Sequence, residues 1–280
     1  MPQSQFAVRL LVIAMVAILP RAGVAATPPL AQESRGEKAL KASFYLNTVP
    51  MLVEMVGDMK KDVLDELKLD AKRRAVIEKA LGEKWTEKHI YANAAAAIEK
   101  QLPPEVLDAA IGQMTPEVQA MIKAGIGEAT PEQAQAWLAA ARKLPDAKAR
   151  EALARRIAAH MPQPDAFKEL AGQVVEVMAD TAQAATGTDE QREQLRSSFM
   201  EGLGPTIQAM GQKEAMVFST IITYREHPTA NMKLLADALD SDSGKKLQLA
   251  AVDSLLLGAK QTRQEIVAQL QRDLKPTKKK

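Results

Sequence analysis

Apolar side chains recur every three or four residues along most of this chain, the spacing typical of amphipathic α-helices. The segments 164–185 and 243–272 show this spacing most clearly. The apolar stripe consists of Phe167, Leu170, Ala171, Val174, Met178, Ala182 and Ala185 in the first segment, and of Leu247, Ala251, Leu255, Ala259, Ile266 and Leu270 in the second. Each stripe needs partner helices to bury it, and no segment shows the sustained apolar–polar alternation of a half-buried strand. The pattern predicts an all-α, multi-helix bundle of about ten or more helices.

Residues that favour helix starts divide this bundle into elements. Thr115-Pro116-Glu117 and Thr130-Pro131-Glu132 each place a capping hydroxyl before a proline, whose missing N–H costs nothing at the first helical position. These and related signals predict short helices at 104–113, 116–127, 131–143 and 146–160. Towards the N-terminus, Pro50 predicts a break, followed by a helix that runs to about Leu69.

The order of long and short elements suggests two related helical units. We predict a first unit at 27–129, a connecting helix pair at 130–160 and a second unit at 164–274. Both units contain a Ser or Thr cap that follows a short helix, at Thr115 and at Ser241. An internal duplication explains this repeated order of elements. The recurrence of capping residues wherever helices begin explains it equally.

The first 26 residues have the order of a secretory signal peptide. Arg9 precedes an uninterrupted apolar run, Leu10–Leu19, and Pro20 then breaks any helix before Val24-Ala25-Ala26. The run is too short to span a bilayer, which takes about 20 apolar residues, and the small residues suit signal peptidase. We predict cleavage after Ala26 and a periplasmic or secreted protein without a transmembrane span; the alternatives are a retained interfacial anchor and a mistranslated start.

Composition and charge narrow the classes of function. The chain of 280 residues has no cysteine, which excludes disulfides, thiol nucleophiles and cysteine-based metal sites. Loss of residues 1–26 removes two arginines and no acid, so the mature chain carries 35 basic and 35 acidic side chains. A neutral chain argues against nucleic acid as a partner, because phosphate binding needs clustered Lys and Arg. The basic tail, 275–280, fits either a solvated terminus or a contact with an anionic envelope surface.

Two glycine-containing motifs are similar to ligand-binding loops, but each is better explained as the start or the end of a helix. Asp240-Ser241-Asp242-Ser243-Gly244 resembles a calcium loop, but its glycine is one place early and Ala251 stands where such a loop needs a bidentate carboxylate. We interpret it as a helix cap. Gly125-Ile126-Gly127 lacks the third glycine of a nucleotide-binding turn and follows a helix, so we interpret it as a helix terminator. The sequence predicts no cofactor and no metal site.

Carboxylates also recur every four residues along one predicted helix, at Glu54, Asp58, Asp62 and Glu66. Such a stripe can hold divalent ions when histidines accompany it, but none is nearby in sequence. The adjacent apolar stripe of Met55, Met59, Val63 and Leu67 favours a solvated face beside a core face.

The three histidines, His89, His160 and His227, have no ligand-like spacing, and the last two precede Pro-marked breaks, where a histidine suits a helix C-terminus. The weak candidates for catalysis are Tyr224, Glu226 and His227, which could meet at a helix end for acid–base chemistry. We expect a non-enzyme, because no signature of a nucleophile or a zinc site is present.

The stretch Tyr224–Thr229, the helix-forming run Met232–Leu235 and the turn Leu239–Leu247 follow one another in a distinctive order. With this order, the segment 164–259 resembles a family of bacterial secreted proteins of unknown function. In that family a helix ends near a tyrosine, a short helix follows a Thr cap, and a Ser- and Gly-containing turn opens the last helix. The resemblance implies an exported, all-helical protein and no particular reaction.

These observations favour a non-catalytic binding or scaffolding protein of the cell envelope, with envelope proteins as partners. The alternative is a carrier of a lipid or other apolar ligand in a cavity between helices. Methionines such as Met51, Met55, Met59, Met200, Met210 and Met216 would give an adaptable groove if exposed, and fill the core if not.

Overall fold

The computed structural model of the chain describes residues 33–124, 130–161, 163–210 and 213–274. The predicted signal peptide, the basic tail and the Gly125–Gly127 motif lie outside these ranges. Thirteen α-helices and no strand are found in the described residues, which confirms the all-α prediction. The helices are α1 (Arg35–Lys41), α2 (Thr48–Glu66), α3 (Ala71–Lys84), α4 (Glu87–Gln101), α5 (Pro104–Gly112), α6 (Pro116–Lys123), α7 (Pro131–Ala141), α8 (Ala147–Ala158), α9 (Pro164–Thr186), α10 (Asp189–Met210), α11 (Lys213–Thr223), α12 (Thr229–Asp240) and α13 (Asp242–Asp273).

The predicted caps begin the helices as their chemistry requires. The Thr115 hydroxyl accepts the N–H of Val118, and the Thr130 hydroxyl accepts the N–H of Gln133, whose side chain accepts the Thr130 N–H in return. Ser241 caps α13 by accepting the N–H of Gly244, so the calcium-like motif is a helix cap.

Helix ends depart from the sequence-based bounds by a few residues. The chain passes from a 3₁₀ turn, Phe44–Asn47, into α2 at Thr48, so the break lies just before Pro50, which occupies the first turn, where no helical N–H is needed. At its other end α2 stops at Glu66, short of Leu69, because Lys68 takes a left-handed φ of 48°. Helical backbone cannot continue through that conformation.

One hydrophobic cluster joins helices from the beginning and the end of the chain. Helix α13 packs against α3, α4, α5, α9 and α12, and both Ile90 of α4 and Leu255 of α13 are fully buried in the cluster. The two predicted units, 27–129 and 164–274, thus contribute to a common core. Their relation by duplication stays a prediction.

The contact between α4 and α13 is unusually close. A Cβ at Gly258 would lie 2.7 Å from the Ala94 amide nitrogen and 2.9 Å from the Ile90 carbonyl oxygen. Nearby, the Asn93 amide donates to the Thr262 hydroxyl over 3.1 Å. Small residues therefore let these two helices meet backbone to backbone.

Helix α2 separates polar from apolar residues as predicted. The four carboxylates of its stripe are exposed, while Met55, Met59 and Val63 are buried. Met51 is buried as well, so these methionines fill the core and form no exposed groove. The side chains of Met200 and Met210 lie outside the described part of the chain.

Two histidines join helices through carboxylates. His160, just after α8, lies 2.8 Å from Asp240 at the end of α12, and His89 of α4 lies 2.6 Å from Glu265 of α13. Arg156 contacts the second Asp240 oxygen at 2.7 Å. Burial by itself raises the pKa of the Asp240 carboxyl, but the hydrogen bonds from His160 and Arg156 outweigh it and hold the pKa below its usual value.

The Asp240 contacts predict a loss of stability in acid. The folded-state pKa of Asp240 lies below its unfolded-state pKa. The stabilisation is therefore complete when the pH is above the unfolded-state pKa, and it disappears as the pH falls through the folded-state pKa and the carboxylate becomes protonated. At pH 7, Asp240→Asn is expected to lower the free energy of unfolding by about 0.2–1 kcal/mol, because the pair is partly exposed. By about pH 3 the difference from the parent protein should shrink, as measured by urea unfolding at each pH.

Asp58→Asn, on the exposed face of α2, is the matched control. Asp58 has no ion-pair partner in the described ranges, so its substitution should leave the pH profile unchanged. A difference for Asp240→Asn that is the same at both pH values would contradict the assignment.

Candidate ligand groove

The weak catalytic candidates surround the turn between α11 and α12. Tyr224 is 1% exposed and its ring meets the His227 ring edge to face, with centroids 5.9 Å apart. Burial raises the pKa of the Tyr224 hydroxyl, which makes it a poor proton donor near neutral pH. Glu226 is 80% exposed and pairs with Arg225 at 3.1 Å. The structure thus brings Tyr224 and His227 together in a packing contact and leaves Glu226 in solvent.

The same turn is held by a buried arginine of α8. Arg150 donates to the backbone carbonyl of Tyr224 over 2.7 Å, to that of His227 over 3.0 Å and to the Thr229 hydroxyl over 3.1 Å. Asp146 approaches Arg150 to 3.9 Å and accepts a hydrogen bond from Thr229. These contacts give the turn a structural role. The arginine donates hydrogen bonds to backbone carbonyls that follow the end of α11 and therefore accept none from a continuing helix.

An open groove of about 640 Å³ lies elsewhere, along α9 and α13. Its exposed apolar surface comes mainly from Leu257, which is 49% exposed, while Leu256 is partly buried and Val175 is 1% exposed. Gly172 of α9 also lines the groove, and a Cβ at this position would meet open space. The groove is therefore an accessible surface with an apolar floor and one stretch of bare backbone.

The polar groups of the groove are largely without partners. Lys168, Lys260, Asp165 and Glu169 line it and form no ion pair within the described ranges. The side-chain oxygen of Gln173 is buried and has no hydrogen-bond partner among the described residues. Six further buried side-chain atoms of the described residues also lack a partner, so this oxygen does not by itself mark the groove as a ligand site.

One end of the groove is closed by an ion-pair network. Glu176 of α9 pairs with Arg192 and Arg196 of α10, each at 2.9 Å, and approaches Arg263 of α13 to 3.8 Å. Asp180 pairs with Arg192 at 3.0 Å and lies 3.4 Å from Arg263. Both carboxylates are less than one-fifth exposed. The network ties α10 and α13 to α9, so its charges are used within the protein and differ from the free charges farther along the groove.

The sequence-based site prediction did not include this groove. The available signal was Lys168, Glu169 and Gln173, polar residues beside the apolar stripe of 164–185, together with Gly172 in a helix that needs no glycine for a turn. Periodicity shows that such residues lie off the core. It does not show that α13 places Leu257 and Lys260 opposite them.

Other kinds of site find no support in the described residues. No group of three or more His, Asp or Glu side chains in these ranges is arranged to hold a metal ion. No helix in the described part of the chain is both long and apolar enough to cross a bilayer.

Comparisons with known proteins were made at the level of family, sequence and fold. No family model, no curated protein and no solved structure matches this chain.

Proposed function

We propose that this chain is an exported, non-catalytic binding protein of the bacterial cell envelope, and that it binds its ligand in the groove between α9 and α13. The leader-like first 26 residues and the resemblance over 164–259 support export and a bacterial source. The groove supports binding.

The observation that carries the proposal is the combination of an exposed apolar side chain, Leu257, with polar groups that form no ion pair in the described residues, in one concavity. Leu257 is half exposed within the groove, beside the apolar face that α13 buries. Concave sites that combine apolar surface with a few convergent polar groups are the usual form of ligand sites. The residues of the Tyr224 turn do not line this groove, so their chemistry contributes nothing to the proposal.

Site-specific photo-crosslinking tests the groove. A benzoylphenylalanine at Leu257 in the exported protein should give covalent adducts, detected as added mass on the purified protein. Leu144, which is 39% exposed in the turn between α7 and α8, is the matched surface position and should give none. Gly172→Leu should reduce the adducts at position 257 to the Leu144 level. A side chain at position 172 meets no neighbouring atom, so the leucine can occupy part of the groove.

Gly82→Leu on α3 is the control for Gly172→Leu, since a Cβ there also meets open space. It should leave the adducts unchanged. Equal adducts at positions 257 and 144, or adducts that survive Gly172→Leu, would show that the groove binds nothing specific. The same periplasmic preparation should begin at Thr27, and an uncleaved N-terminus would contradict export by a cleaved signal.

A further inference from the structure

Helix α10 supplies part of the groove wall and is attached mainly through charged side chains. Arg196 of α10 lines the groove, as does Glu176 of α9. No side chain described in the first half of α10, residues 189–199, is fully buried, and its apolar contacts with the core, Leu195 and Phe199, are only partly covered. In the described part of the chain α10 packs mainly against α9. Little apolar burial therefore opposes a movement of this helix away from α9.

A hinge separates α10 from α9. The two helices are joined by Gly187 and Thr188 alone, and Gly187 has a left-handed φ of 76°. A Cβ at Gly187 would meet open space, so no neighbouring atom confines the residue on that side. A few residues at the end of an element that can absorb a large change of φ and ψ are the usual form of a hinge. This connection allows α10 to swing while α9 stays in the core.

Two carboxylates of α9 hold α10 in place. Asp180 accepts a hydrogen bond from Arg192 over 3.0 Å, and Glu176 pairs with Arg192 and Arg196, each at 2.9 Å. Both arginines are partly exposed, so each pair contributes only modestly to the attachment. These contacts can therefore break without the rest of the bundle unfolding.

A third arginine approaches the same carboxylates without a hydrogen bond to either. Arg263 of α13 lies 3.4 Å from Asp180 and 3.8 Å from Glu176, and its Nε atom is buried without a hydrogen-bond partner in the described residues. A guanidinium in a good ion pair lies about 2.7–2.9 Å from the carboxylate oxygen. Arg263 is therefore a second partner for carboxylates that Arg192 already holds. Because it belongs to α13, Arg263 stays beside α9 when α10 moves away.

We infer that α10 is a hinged flap that gates the end of the groove through an exchange of arginine partners. In the closed arrangement Arg192 and Arg196 hold Glu176 and Asp180, and Arg196 forms part of the groove wall. In the open arrangement Arg263 takes up both carboxylates at hydrogen-bond distance, and the groove loses the wall that α10 supplies. This inference rests on the proposed function, because it describes how access to the same groove is controlled.

Amide hydrogen exchange of the mature full-length protein, followed by mass spectrometry, tests the flap. Peptides from 189–199 should exchange through a local opening, and therefore faster than the core amides of α9 and α13, which open only when the bundle unfolds. Arg192→Met should speed this exchange about tenfold, because α10 loses its hydrogen bonds to both carboxylates. Arg263→Met should slow it about threefold, because it removes the partner that stabilises the open arrangement.

The opposite signs separate an exchange of partners from a network that only fastens α10. If all three arginines fastened the helix, Arg263→Met would speed the exchange of 189–199 as Arg192→Met does, and that result would overturn the inference. Equal protection of α9, α10 and α13 would overturn it as well. Arg156→Met, which removes partly exposed ion pairs between α8 and α12, is the control and should leave the exchange of 189–199 unchanged.

Crosslinking at position 257 tests the gate. The adducts of benzoylphenylalanine should increase in Arg192→Met and decrease in Arg263→Met, because the first variant favours the open groove and the second the closed one. Adducts that stay constant while the exchange rates change would overturn the gate. If position 257 gives no specific adducts even in the parent protein, the proposed function fails, while the exchange rates still decide whether α10 opens.

Discussion

Replacement of Arg150 by methionine is expected to lower the free energy of unfolding by about 2–4 kcal/mol. The arginine is 6% exposed, and its guanidinium serves the carbonyls of Tyr224 and His227 and the hydroxyl of Thr229. Methionine keeps much of the side-chain volume but donates nothing, so these acceptors lose the guanidinium's hydrogen bonds, and of the two carbonyls the one of Tyr224 keeps the His227 N–H. Urea unfolding followed by circular dichroism measures the loss.

Arg155→Met, one turn farther along α8, is the matched control. Arg155 is about half exposed and pairs with Glu151 and Glu214, so its substitution should cost no more than about 1 kcal/mol. If Arg150→Met and Arg155→Met lowered the free energy of unfolding equally, the buried hydrogen bonds of Arg150 would contribute no more to stability than the exposed ion pairs of Arg155. Arg150→Lys should fall between the parent and the methionine variant, because a lysine keeps the charge but cannot reproduce the planar set of donors.

The second large effect is expected at the crossing of α4 and α13. Gly258→Ala places a Cβ at 2.7 Å from the Ala94 amide nitrogen, and this neighbour is backbone that cannot rotate away. The helices must separate, which we expect to cost about 1–3 kcal/mol although alanine is the better helix former. Thermal and urea unfolding of the purified variant measure the cost.

Gly82→Ala makes the same chemical change where nothing lies within 4 Å. It should stabilise the protein by as much as about 1 kcal/mol, because alanine loses less backbone entropy than glycine in a helix. If Gly258→Ala were also neutral or stabilising, the two helices would not meet as closely as the structure shows. The opposite signs expected for one substitution at two sites separate packing from intrinsic propensity.

Helices and their starts could be read from the sequence because their causes are local. The hydroxyl of Thr115 caps the helix that begins at the next residue, and the stripe of 164–185 lies within α9 with bounds that agree within a residue. Helix ends were harder to predict. The stop of α2 before Leu69 depends on the backbone conformation of Lys68, a residue type that continues helices readily elsewhere.

The candidate site was harder to predict because its residues are far apart in the chain. Tyr224, Glu226 and His227 are adjacent in sequence, yet one side chain is buried and another points to solvent. Gln173 and Lys260 are 87 positions apart and share one groove. Adjacency in sequence is therefore a poor guide to convergence, because neighbouring residues of this turn place their side chains in different surroundings.

Local physics in the sequence determined that this chain is helical, where most helices begin and which face of α2 or α9 is buried. Hydrophobic periodicity and capping act over three or four residues, so a single segment contains all the information they need. Only the tertiary structure decided that Arg150 holds a distant turn, that Gly258 admits α4, and that α9 and α13 leave unpaired charges around an apolar floor. Those features depend on which helices become neighbours, and neighbours are chosen by the shape and packing of the whole core.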